Sequence, residues 1–139
     1  MTLSRRKALT LGLGGFAFAA IPGLSAASTV EELTAAFTAG AAPSSDGITL
    51  TTPEIAENGN TVPVSVDAPG AVAILLLASG NPEPAVATFT FGPAAGRQFA
   101  ATRIRLAQTQ DVIAMAKMAD GSIKQAQATV KVTIGGCGG

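Results

Sequence analysis

Ala126-Gln127-Ala128-Thr129-Val130-Lys131-Val132-Thr133-Ile134 is the stretch on which the fold turns, and Gly135-Gly136-Cys137-Gly138-Gly139 follows it. Apolar side chains at 126, 128, 130, 132 and 134 alternate with polar ones at 127, 129, 131 and 133. Successive side chains of a strand point to opposite faces, so this alternation predicts a strand with one face buried. The tail after it holds the single cysteine of the chain between two glycine pairs. Residues without side chains make a thin segment of wide conformational freedom, and a chain end is ordered only where something ties it down. Residues 135–139 therefore read as a flexible arm. Its glycines are Gly135, Gly136, Gly138 and Gly139, and its reach is roughly 17 Å at about 3.3 Å per extended residue. A thiol on such an arm fits a narrow cleft in another protein.

Working back from that strand, the signals are β almost throughout. Ala119-Asp120-Gly121-Ser122 is the clearest hairpin turn, because Asp-Gly supplies the positive φ that tight turns need. Asp111–Met118 precedes it. Phe99–Leu106 sets Ile104 and Leu106 against Arg103 and Arg105, and Val86–Phe91 sets Phe89 and Phe91 against Thr88 and Thr90. Thr61–Asp67 places Val62, Val64 and Val66 on one face, with Pro63 inside the run; proline donates no ladder hydrogen bond, so an edge or a bulge is expected there. Ile48–Thr52 is rich in β-branched residues. Ala71–Ala78, AVAILLLA, is too short to span a bilayer and predicts a strand covered on both faces, by the domain or by a partner. About seven short strands with turns every 8–12 residues predict an all-β, Ig-like β-sandwich. The core tryptophan and disulfide of antibody domains are absent, so the likeness is architectural. A short helix over 29–39 precedes the strands: Thr29-Val30-Glu31-Glu32 is a capping box, Val30, Leu33 and Phe37 form a stripe, and Gly40 stops it. Ala41–Gly47 reads as a linker.

The first 27 residues stand apart. Ser4-Arg5-Arg6-Lys7, a weakly hydrophobic run from Ala8 to Leu24, and Ser25-Ala26-Ala27 predict a secretory signal peptide over 1–27, cleaved after Ala26 or Ala27. Adjacent arginines point to the twin-arginine route and a periplasmic destination. The domain proper is then 28–134 and the arm 135–139. After cleavage six basic side chains face nine acidic ones, a net charge of −3, which offers no basic face for nucleic acid. The run at 8–24 is too short, and ends at residues too small, for a membrane anchor.

Chemistry narrows to Cys137. The chain has no histidine, which removes the commonest general base, metal ligand and haem ligand. One cysteine allows no internal disulfide. No activating group adjoins the thiol in sequence: Lys131 is down the strand, and the terminal carboxylate disfavours a thiolate. A thiol without its own base is not a catalyst; it is a carrier activated inside another protein's site, or the link of a disulfide-bonded dimer of an interaction module. Catalytic residues, metal ligands and a bound cofactor are not expected. Arg103 and Arg105 read as a solvated strand face, Glu54 and Glu57 as a solvated loop, and Met115 and Met118 as core or interface filler.

Taken in order, these segments resemble the SoxY family, the sulfur-carrier subunits of the bacterial thiosulfate-oxidising (Sox) multienzyme system. The resemblance runs over the leader, the helix and the β-domain. It rests on Glu57-Asn58-Gly59-Asn60 with Val62-Pro63, Asn81-Pro82, Phe91-Gly92-Pro93, Thr102-Arg103-Ile104-Arg105-Leu106-Ala107, Asp120-Gly121-Ser122 and above all the GGCGG tail. It implies that Cys137 holds sulfur intermediates covalently. It also implies a heterodimer with a SoxZ-like β-sandwich subunit. A haem enzyme would couple thiosulfate to the thiol, a hydrolase would release sulfate, and a sulfane dehydrogenase would oxidise what remains. Export of a folded pair would carry a leaderless partner across the membrane. The AVAILLLA strand or the Val30, Leu33, Phe37 stripe is expected at the partner interface.

Overall fold

The computed structural model describes residues 28–135. The predicted signal peptide, 1–27, and Gly136, Cys137, Gly138 and Gly139 lie outside the described residues. One helix, α1 (Val30–Thr38), leads into β1 (Pro43–Ser44), β2 (Thr49–Thr51), β3 (Ile55–Ala56), β4 (Val62–Asp67), β5 (Ala71–Ala78), β6 (Ala85–Thr90), β7 (Phe99–Ile104), β8 (Gln110–Met118) and β9 (Ile123–Val132). The larger sheet runs β1-β9-β8-β5-β6, with β3 also on β9; the smaller runs β2-β4-β7. The all-β, Ig-like sandwich expected from the turn spacing is the fold observed. Seven strands have three or more residues. The other two, β1 and β3, are two-residue pieces that lie parallel to β9 at its beginning and end. Both fall where the sequence reads as linker or loop, because two residues are too few to show a period.

β5 explains the architecture. Ile74, Leu76 and Ala78 face the smaller sheet and meet Val62, Val64, Val66, Ile104 and Leu106 in the inter-sheet core. Across the β5–β8 ladder Ile74 stands opposite Ala116 and Leu76 opposite Ala114, large against small on the face that meets the smaller sheet. Leu75 and Leu77 point the other way. With Met115 and Ile123 they form a second apolar layer, roofed by Val30, Leu33 and Phe37 of α1. Each such side chain, fully buried, contributes about 1.5–3 kcal/mol. The AVAILLLA strand and the helix stripe thus pack on each other within the chain, with Val30, Leu33 and Phe37 half-buried and Val72 exposed.

Local chemistry starts and stops α1 as its sequence predicts. The Thr29 hydroxyl accepts from the Glu32 N–H at 3.2 Å and the Glu32 carboxylate accepts from the Thr29 N–H at 3.1 Å. The left-handed cap is Ala39, φ 51°, one residue before the glycine expected to stop the helix. Lys117 Nζ lies 5.1 Å from the Phe37 ring centre and adds a cation–π contact between α1 and β8. Pro63 lies in the central strand of its sheet, yet β2 pairs only with Ser65–Asp67, so the edge beside Pro63 is open where a ladder bond is missing. At the β8–β9 hairpin Gly121 takes φ 89° and donates to the Met118 carbonyl, a turn closed by a glycine bulge. Hydrogen bonds from the Ser122 hydroxyl and backbone hold the Asp120 carboxyl below its usual range.

Candidate functional site

The end of β9 is held residue by residue. The Lys131 N–H donates to the Glu54 carbonyl at 2.9 Å and the Thr133 N–H to the Ala56 carbonyl at 3.1 Å, extending the parallel β3 pairing. Between them, the Val132 N–H donates to Thr109 Oγ1 at 2.9 Å. The Thr133 hydroxyl donates to the Glu57 carbonyl at 3.1 Å. The Ile134 carbonyl accepts from the Gly59 N–H at 2.8 Å, while the Gly59 carbonyl accepts from the Leu106 N–H at 2.7 Å. Gly59 is thus a backbone bridge between the chain end and the loop after β7. It is buried, inside the Asn58–Asn60 turn that the Asn58 side chain closes on the Asn60 N–H.

That loop is itself fixed. Asn81 Nδ2 donates to the Arg105 carbonyl at 2.7 Å, and its Oδ1 accepts from the Ala107 N–H at 3.0 Å and from Gln110 Nε2 at 2.8 Å. Gln110 also donates to the Gln108 carbonyl at 3.0 Å and accepts from the Gly80 N–H at 2.8 Å. It is 7% exposed, and both ends of its amide are bonded, as a buried polar group must be to avoid a desolvation penalty. A Cβ on Gly80 would lie 2.9 Å from that of Gln110, so only glycine lets the two segments meet.

Among the predicted site residues, Gly135 alone is described; Gly136, Cys137, Gly138 and Gly139 lie outside the described residues. Gly135 packs against the Ala107 backbone, and a Cβ there would overlap the Ala107 carbonyl oxygen. Arg103 and Arg105 are exposed, and the Arg103 guanidinium reaches Thr61 Oγ1 at 3.5 Å. Glu54 and Glu57 are exposed through their side chains and engaged through their carbonyls. Met115 is buried in the layer under α1, and Met118 packs on the inter-sheet core. Gly59, Gly80, Asn81, Thr109, Gln110 and Thr133 were not singled out as site residues from the sequence. The available signal was the set of short Asn- and Gly-containing motifs at 57–60 and 81–82, whose meeting point is the root of the tail. No group of three or more His, Cys, Asp or Glu among the described residues is placed to hold a metal ion.

The class defined by this geometry is a β-sandwich whose last strand runs out into a hydrogen-bonded frame that reaches Ile134 and Gly135. Comparison with known proteins agrees. The family described as sulfur oxidation protein SoxY matches residues 33–137, a range that ends on Cys137. The solved structure of the sulfur carrier protein SoxY from Chlorobium limicola f. thiosulfatophilum is 34% identical, with a TM-score of 0.64 over 76% of this chain and 97% of that one. The chain belongs to the SoxY family. A superoxide reductase (neelaredoxin) variant from Ignicoccus hospitalis, 17% identical with a TM-score of 0.55 over 73% of this chain and 86% of that one, shares the fold alone. No curated protein matches.

Proposed function

We propose that this protein is a covalent sulfur carrier of periplasmic thiosulfate oxidation, with Cys137 as the attachment point. The observation that carries the reading is the family match reaching Cys137 on a chain whose segment after β9 is hydrogen-bonded as far as Ile134 and packs at Gly135. In sequence the thiol follows Gly135 by two residues and stands between glycine pairs, a composition suited to presenting it to a partner.

The chemistry then belongs to partners of the Sox system. In the first step a haem partner oxidatively joins thiosulfate to the Cys137 thiolate: a sulfur–sulfur bond forms, two electrons leave to the haem, and the adduct ends in a sulfonate. In the second, a hydrolase adds water at the sulfonate sulfur; sulfate leaves with two protons, and a persulfide stays on the carrier. A sulfane dehydrogenase then takes electrons from the outer persulfide sulfur onto its own acceptor while water supplies the oxygens, leaving an S-sulfonate on the carrier. A last hydrolysis of its sulfur–sulfur bond releases sulfate and protons and returns the thiolate. This chain contributes the thiol, the arm and the docking frame, and a SoxZ-like β-sandwich subunit completes the heterodimer. Export through the twin-arginine route would deliver the folded pair.

Intact mass of the protein from its own periplasm, before and after a thiol reductant, tests the reading. A sulfur-containing adduct on the 135–139 segment, removed by reductant, is the expected result. Cys137→Ser is expected to abolish thiosulfate-dependent turnover in the reconstituted system while leaving fold and heterodimer intact. A bare thiol, or only a disulfide-linked dimer with turnover unaffected by the substitution, would replace the carrier with an interaction module.

A further inference from the structure

We propose that the frame around the end of β9 is a collar that makes Gly135 the fixed root of the tail, so that Cys137 works from a tether of two residues. Its purpose rests on the carrier reading; its geometry does not.

Three segments far apart in sequence build the collar. The Asn58–Asn60 turn grips Ile134 through Gly59. The loop at 105–109 holds Val132 through Thr109 and meets Gly135 at the Ala107 carbonyl. Asn81, braced by Gln110, ties that loop down at Arg105 and Ala107. The group facing Gly135 is backbone, held by the Ala107 N–H bond to Asn81 and by the neighbouring Leu106, which is fully buried and bonded to Gly59. Such an oxygen has no rotamer by which to step aside. Gly135 is therefore glycine because the collar closes on it, a different reason from the pliancy expected of the arm.

The consequence is a shorter reach. Two residues span about 7 Å at full extension, against roughly 17 Å for an arm hinged at the end of the strand. A partner that receives the thiol must then seat its reacting centre close to the collar, and the exposed rim of Asn58, Asn60, Arg105 and Gln108 falls within its footprint.

Residue-by-residue heteronuclear NOE values on the 15N-labelled full chain test this. Sheet-like values through Gly135 and a fall beginning at Gly136 are expected. Gly135→Ala should move the fall upstream to Thr133 or earlier, and Asn81→Ala should do the same from a site remote in sequence. Gly136→Ala should leave it in place. In the reconstituted system Gly135→Ala should lower kcat/KM for partner-catalysed sulfur loading by on the order of tenfold or more, since misplacing a reacting group by about 1 Å costs that much. Alkylation of the same thiol by iodoacetamide should stay unchanged, as a merely structural defect would not discriminate between the two. A wild-type fall already at Lys131, or a Gly135→Ala protein with an unmoved profile and normal loading, overturns the proposal. If wild-type Cys137 is never loaded while the fall stands at Gly136, the carrier reading fails and the collar stands.

Discussion

The layer beneath α1 and the collar around Gly135 both brace the β8–β9 pair, and they do so by opposite means. Under α1 the contacts are Leu75, Leu77, Met115 and Ile123 against Val30, Leu33 and Phe37, non-directional and proportional to area. In the collar the side chains are Asn, Gln and Thr, and two of its glycines are required by close approach. Apolar burial supplies stability but tolerates small shifts in position. Hydrogen bonds supply little net energy each and specify position closely. A carrier needs the second property where its tail departs and the first everywhere else.

The largest effect should come from the apolar layer. Leu77 is fully buried, and Leu77→Ala is expected to cost about 2–5 kcal/mol, read as a lower urea midpoint with an unchanged slope. The NOE profile at Gly135 should stay as in the wild type, because no collar bond involves Leu77. Loss of order at the chain end in this variant would show that the two regions are coupled.

Gln110→Leu should reverse that pattern. The substitution leaves the Gly80 N–H without its acceptor and Asn81 Oδ1 without one donor, at about 1–3 kcal/mol. Hydrogen exchange at the Gly59 and Ala107 amides should accelerate well beyond what global stability predicts. Equal acceleration across β5 and β8 would place Gln110 in the common core rather than in a separate frame.

The smallest effect belongs to the far end of the same hairpin. The Asp120 carboxyl is held below its usual range by Ser122. A carboxyl with a lowered folded pKa stabilises the fold above the unfolded value, about 3.9, and loses that contribution as pH falls through the folded one. Asp120→Asn should therefore lose that contribution at neutral pH, a small loss because the turn is exposed, and lack the shallow decline in stability that the wild type shows below about pH 4. Because the turn is exposed and distant from the collar, the Gly135 profile should not respond to this titration.

How much of this was legible follows from range. The capping box of α1, the alternation of β4 and the Asp120-Gly121 turn are each specified within a few residues and observed where expected; the alternation of β9 holds only to Val132, and Ile134, expected on its buried face, lies past the strand and is 67% exposed. AVAILLLA reads as a strand covered on both faces by the domain or by a partner; it is buried from Ile74 on, and what its sequence does not say is that α1 packs on the outer face. Arg103 and Arg105 read correctly as a solvated face because Ile104 and Leu106 beside them are buried. The short parallel pieces β1 and β3 were not legible, since their partner, β9, lies far along the chain and two residues carry no periodicity.

By itself the sequence determined the strand pattern, the helix and its caps, and a single thiol on a glycine tail, because periodicity, turn chemistry and composition are properties of neighbouring residues. Only the tertiary structure decided that α1 roofs β5 and that Asn58–Asn60, Asn81 and 105–110 converge on the end of β9. It also decided what Gly135 is for. A glycine in a tail reads as freedom, but whether it is a hinge or a contact depends on what lies opposite, and here that is the Ala107 carbonyl oxygen, brought there by the closing of two sheets.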